Sequence, residues 1–190
     1  MTDILPYVLN EVPHCPTPLV QQQLFLVIRD FCLATQWWQW NLDPINVKTD
    51  VTDYDLDGWP TYAAIDAVVS VWNQGRILMP DIAYSLPADN VIRLLQTPTD
   101  SARDSLVIRV SLQPCEAATQ ICDDIYERWY TAFADGVKAR LMIMAGKPWF
   151  NAPGANHYAN QYLDAQNQAI TDRDRGRMNK PLQARARWRF

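Results

Sequence analysis

The densest run of potential chemistry in this 190-residue chain is Asp53-Tyr54-Asp55-Leu56-Asp57-Gly58. Alternating carboxylates closed by a glycine match the first six positions of a calcium-binding loop, where the acids converge on a hard cation and the glycine makes the bend. The match stops there. Position eight is Pro60, and position twelve, where a bidentate Glu would complete the coordination, is Ala64. Asp53, Asp55 and Asp57 are therefore expected to form a solvated acidic loop, with calcium as the competing reading. The two histidines, His14 and His157, have no cysteine or carboxylate neighbours at ligand spacing, and Cys15, Cys32, Cys115 and Cys122 contain no CxxC pair. GxSxG, HExxH and phosphate-binding loops are missing, and the other acidic pair, Asp123-Asp124, reads as a helix start. The expectation is a protein without metal, cofactor or catalytic site.

Charge points elsewhere. Residues 1–172 hold 10 Lys or Arg against 20 Asp or Glu, whereas residues 173–190 hold 7 basic residues against Asp174 alone. A basic tail on an acidic body suits an arm that docks on something negative. Its candidate contact residues are Arg173, Arg175, Arg177, Lys180, Arg185, Arg187, Trp188, Arg189 and Phe190. In a nucleic-acid reading the arginines meet phosphates and the two aromatics stack on bases. In a protein-docking reading the arginines meet carboxylates and Trp188 and Phe190 fill pockets. A basic terminus without a role is the third possibility. The alternation of Arg185, Arg187 and Arg189 with Ala184, Ala186, Trp188 and Phe190 favours docking, because period-two patterning suits an extended segment laid along another surface.

Several elements must position that tail. The stretch from Ala117 to Phe150 repeats Ile121, Ile125, Trp129, Phe133, Val137 and Leu141 every four residues, which predicts a core helix of about 28 residues and roughly 40 Å. Gly146 and Pro148 supply its stop. A following helix from near Ala155 to Arg173 carries Ala155, Tyr158, Ala159, Tyr162, Ala165 and Ala169 on one face, rich in small residues, and Ala132 and Gly136 on the long helix offer a matching surface. Trp149, Tyr158 and Tyr162 join Ala132 and Gly136 as candidates for packing between helices or subunits. Upstream, Pro6, Pro13 and Pro16 punctuate an apolar arm, expected to be extended or a single helical turn. Thr17 as N-cap and Pro18 at the first position open a helix reaching about Gln36, with Leu24, Ile28, Phe31, Cys32 and Thr35 as its core face.

Between the helices the period changes. Trp38, Trp40 and Leu42, then Ile45, Val47 and Thr49, alternate as strands do. Ala67–Trp72 and Arg76–Met79 flank Asn73-Gln74-Gly75, and Val91–Gln96 and Leu106–Leu112 flank a polar loop. The fold class is α+β: a bundle of three main helices formed by 1–37 and 114–172, an inserted antiparallel sheet or sandwich at 38–113, and an extended basic docking tail at 173–190. The first residues lack a basic segment followed by a long apolar run, and no stretch approaches eighteen apolar residues, so neither a secretion signal nor a membrane span is expected. The cysteines read as reduced thiols of a cytosol.

Taken in order, Leu5-Pro6-Tyr7-Val8-Leu9-Asn10-Glu11-Val12-Pro13, a Cys-Pro start to the first long helix, a strand region closing on Gln113-Pro114, Tyr130 to Gly136 on the long helix, Gly146-Lys147-Pro148-Trp149 and the basic-aromatic terminus resemble the head-to-tail adaptor (connector) proteins of tailed bacteriophages, the group to which podophage tail tubular protein A belongs. The likeness spans nearly the whole chain. It implies a virion structural protein, assembled in the host cytoplasm, that forms a homo-oligomeric, dodecameric ring in the neck between the portal protein and the tail tube or nozzle protein. Such a ring extends the channel through which genomic DNA passes without sequence-specific binding. The same resemblance gives the basic and aromatic positions of 173–190 the role of gripping the portal. The Asp-rich loop at 50–58 departs from that pattern. A nucleic-acid-binding protein using its basic tail, or another neck or tail-completion protein, are the alternatives.

Overall fold

The computed structural model describes residues 4–118 and 120–176. Its architecture is α+β. The N-terminal arm forms a short helix, α1 (Leu5–Leu9), whose Val8 is buried together with Ile4, Val12 and Cys15, so the three prolines leave an arm that clings to the body. Helix α2 (Thr17–Thr35) buries Val20, Leu24, Val27, Ile28, Phe31, Cys32 and Thr35, one face at helical spacing. Its N-cap is Pro16, with Thr17 and Pro18 already in the first turn and no side-chain cap, one residue earlier than the capping pattern predicts. The helix stops where Gln36 turns left-handed (φ 47°) and returns its N–H to the Cys32 carbonyl at 2.8 Å.

Eight strands follow among the described residues: β1 (Gln39–Asn41), β2 (Ile45–Val47), β3 (Asp53–Asp55), β4 (Ala63–Asn73), β5 (Arg76–Leu78), β6 (Tyr84–Ala88), β7 (Val91–Leu94) and β8 (Ala102–Pro114). They make two antiparallel sheets. The larger runs β1-β8-β4-β5, with β2 also on β8, and the smaller runs β3-β7-β6. The hairpin expected at Asn73-Gln74-Gly75 is present; Gln74 (φ 49°) and Gly75 (φ 77°) both take positive φ, the twist a two-residue connection between right-twisted strands requires. The segments on either side of the polar loop 97–105, by contrast, do not pair. Strand β7 joins the small sheet against Tyr54 and Tyr84, while β8 crosses to the large one. Side chains of β8 alternate: Leu106, Ile108, Val110 and Leu112 are buried, and Val107 and Arg109 face outward. Arg29 on α2 donates to Gln113 Oε1 at 3.0 Å, tying helix to sheet.

Helix α3 (Asp123–Met142) buries Ile125, Trp129, Ala132, Phe133, Ala134, Gly136, Val137, Leu141 and Met142. It is 20 residues long, shorter at both ends than the apolar repeat from Ala117 to Phe150 suggests. Cys122 is extended (ψ 126°) and acts as N-cap, and the chain leaves the helix after Met142, before Gly146 takes φ 77°. Ile121 is buried from a loop, so an apolar residue in phase with a helix need not belong to it. Asn151 then caps α4 (Ala152–Asp174), its Oδ1 accepting from Gly154 N at 3.1 Å. Helices α2, α3 and α4 pack on one another, α2 also covers β8, and α1 lies against α2 and α3. No described helix is long and apolar enough to cross a membrane.

Candidate interaction surfaces

The three long helices meet at Gly136. A Cβ there would lie 2.7 Å from Val27 Cγ1 and 3.0 Å from Tyr162 Cδ2, so only glycine lets α3 approach α2 and α4 this closely. The Tyr162 hydroxyl donates to the Val27 carbonyl at 2.9 Å, and its ring stands 6.3 Å from Phe31. Burial, with Asp30 adding, pushes the Tyr162 phenol well above its usual range. Ala132 is buried in the same seam, as are Ala155 and Ala169. Ala159 is exposed, outside the contact face that helical spacing assigned it. Tyr158 is half-buried, with Lys138 Nζ 4.5 Å from its ring centroid, and Trp149 is buried. All five candidates pack within the chain's own core, whose aromatic cluster Phe31, Trp37, Trp129 and Phe133 complete. Cys32 lies in this core, where burial foremost, with Asp66 and Cys122 adding, pushes its thiol up to about 12.

Two of the tail candidates are described. Arg173 belongs to α4, not to a free tail. Its Nη1 donates to the Thr35 carbonyl at 2.7 Å, placing a cation at the C-terminus of α2, and its other nitrogens contact Asp174. Arg175 is the C-cap of α4, and Gly176 takes φ 64° with its N–H on the Arg173 carbonyl at 2.9 Å. The remaining candidates, Arg177, Lys180, Arg185, Arg187, Trp188, Arg189 and Phe190, lie outside the described residues. A shallow groove lined by Gln39, Asn41, Arg109, Arg173 and Gly176 lies beside the end of α4.

The acidic run folds differently from a calcium loop. Asp53 to Asp55 form strand β3, so the alternating spacing puts Tyr54 inside and the two carboxylates outside. Asp53 is engaged by Arg93 in a two-pronged pair, 2.6 and 2.7 Å, which holds its carboxyl below the usual range. Asp57 Oδ1 accepts from Gly58 N at 2.7 Å. Among the described residues no three His, Cys, Asp or Glu side chains gather in a way that could hold a metal ion. Strand β3 thus holds Asp53 and Asp55 in a row, and Asp57 lies beyond it on the Gly58 N–H, where a calcium loop would wrap all three round a point.

One surface was missed by sequence reasoning. Trp72 pairs directly with Ile77 on β5 and with Val107 on β8, and the three side chains are 41, 55 and 37% exposed. The register of the Asn73-Gln74-Gly75 hairpin was the signal that could have found it, since it sets Trp72 opposite Ile77.

No family model matches the sequence, and no curated protein matches it either.

Proposed function

We propose that this chain is a head-to-tail adaptor of a tailed bacteriophage: a non-enzymatic protein of the virion neck that forms a homo-oligomeric ring between portal and tail, extends the DNA channel and docks the tail. In this reading the helices of 1–37 and 114–172 are a bundle, the β-region at 38–113 is its inserted sandwich, and the segment after α4 is an extended arm gripping the portal. The observation that carries it is the order of short motifs along the whole chain, from the Leu5-to-Pro13 arm to the basic-aromatic terminus. Physical support comes from the tail's surroundings. On an acidic body the strongly basic segment follows a fixed point, the end of α4 held by Arg173 on Thr35. An acidic body also offers DNA few phosphate-neutralising groups, which suits a channel wall along which DNA slides.

The test mixes purified protein with candidate portal rings and measures the mass and stoichiometry of what forms. A full chain is compared with a Trp188→Ala variant and with a chain ending at Gly176, a cut that keeps Arg173 in place. The expected result is a ring on the portal with the full chain, and loss of it with both variants; a ring formed equally by all three sinks the docking role. The charge split between body and tail also supports a second reading, nucleic-acid binding through 173–190. Salt separates the two, because phosphate-dominated binding weakens log-linearly with salt and an aromatic anchor in a pocket does not.

A further inference from the structure

The face of the large sheet that carries Gln113, Ser111, Arg109 and Val107 of β8 changes character along its length. Beyond the end covered by α2, where Ser111 is fully buried and Arg29 reaches Gln113, it is polar: Arg109 Nε donates to Asn41 Oδ1 at 2.9 Å across the β1-β8 pair. Two positions along β8 it becomes apolar. The register Ser70↔Arg109, Val71↔Ile108, Trp72↔Val107 is unbroken, so Arg109 and Val107 share a face with Ser70 and Trp72. The bond from Trp72 Nε1 to Ser70 Oγ, 3.2 Å, confirms the shared side and satisfies the polar end of the indole, leaving its ring as open apolar surface. Ile77, directly opposite Trp72, extends the stripe onto the edge strand. Three adjacent large apolar side chains in solvent mark a contact surface.

The polar foot of this face is where the C-terminal segment departs, since Gly176 and Arg173 line one groove with Gln39, Asn41 and Arg109. Fourteen residues follow Gly176, an extended reach of ~46 Å, whereas the stripe begins only ~7 Å from Arg109, two residues along a strand. Those residues include Met178, Leu182, Trp188 and Phe190, and near the end apolar and arginine side chains alternate. A segment with one apolar side suits a flat sheet face, and a body of opposite net charge favours its cations.

From this we infer that the chain's own residues 177–190 rest on the uncovered end of this face, on β4, β5 and β8, with their apolar side chains over Trp72, Ile77 and Val107. The contact itself stands apart from the adaptor reading. Its consequence rests on that reading: an arm parked on its own sheet is withheld from the portal until a tighter site competes for it.

The test uses the full chain at high dilution with a benzoylphenylalanine photocrosslinker at Ala186, which shares a side with Trp188 and Phe190 and leaves both in place. Isotopically heavy and light protein are mixed before irradiation, and crosslinked peptides are identified by mass. The dominant crosslinks are expected to join the tail to the segments holding Trp72, Ile77 and Val107, to pair like isotopes only, and to fall about fivefold with Ile77→Lys, an exposed position whose change spares the fold. Crosslinks between unlike isotopes would make a second copy the occupant and overturn the assignment; so would crosslinks elsewhere on the body, or none. Added portal rings distinguish the two readings. Retained crosslinks without a portal complex would sink the adaptor and leave the parked tail standing, and a portal complex from a chain that never crosslinks to its own sheet would do the reverse.

Discussion

Gly136 does the most with the least. Without a side chain it lets Val27 and Tyr162 touch the backbone of α3, and any Cβ would intrude on both. Gly136→Ala gains helix propensity, worth about 1 kcal/mol, but forces apart three packed helices, at a cost of about 1–3 kcal/mol, and the second effect is expected to win. Urea titration should show a lower midpoint at unchanged slope; an unchanged or higher midpoint would mean that α2 gives way easily. Tyr162 and Cys32 make a related case. Both hold their protons more tightly folded than unfolded, chiefly because burial penalises the anion. Their contribution is therefore whole below the unfolded-state values, about 8.5 for a thiol and 10 for a phenol, and drains away as pH rises above them. Stability followed by urea from pH 8 to 11 should fall, and Tyr162→Phe should flatten the upper part of that fall. The same variant should cost about 1 kcal/mol at neutral pH, for the lost bond to the Val27 carbonyl.

Arg173 shows how an element boundary changes a residue's part. Counted with the tail by charge, it is the last basic residue of α4 and the capping cation of α2. Arg173→Ala should cost about 0.5–1 kcal/mol and, more tellingly, should speed amide exchange in the last turns of both α2 and α4. Faster exchange in α4 alone would mean that the link to Thr35 carries nothing. The pairing of Asp30 on α2 with Arg140 on α3, and of Arg128 on α3 with Asp172 on α4, repeats the pattern of charges that staple neighbouring helices. Their exposure keeps each contribution small.

Helices and sheets share one core. Ile4 and Val8 of the arm, Phe31 and Phe133 of the helices, Ile108 and Leu112 of the large sheet and Tyr54 and Ile92 of the small one belong to a single buried cluster. The β-region is inserted in sequence but not separate in packing, so the molecule should unfold in one step. Ile92→Ala, deep in the small sheet and worth about 2–5 kcal/mol, should lower the thermal midpoint of the helical signal at far-ultraviolet wavelengths and of tryptophan fluorescence together. Two separated transitions would show instead that the small sheet is an independent unit.

Local periodicity was enough to place α2, α3, α4 and the β4-β5 hairpin, because each buries one face and the spacing of apolar residues records which face that is. The N-terminal arm was legible too, since prolines limit it to a short turn and its apolar residues need a body to lie on. Where local pattern was ambiguous, long-range contacts chose. Ile121 continues the period of α3 yet is buried from a loop, because nothing in an apolar spacing says where the backbone stops being helical. The Asp53–Asp57 run has the carboxylates of a calcium loop, but pairing with Val91–Arg93 draws it straight and gives Asp53 to Arg93. The partner of β8 was hidden for the same reason: strand pairing depends on residues far apart in the chain, here β4 against β8, while sequence pattern reports only neighbours. The groove at Arg173 and the stripe of Trp72, Ile77 and Val107 arise from that same distant pairing, which sets the end of a helix at the foot of a sheet.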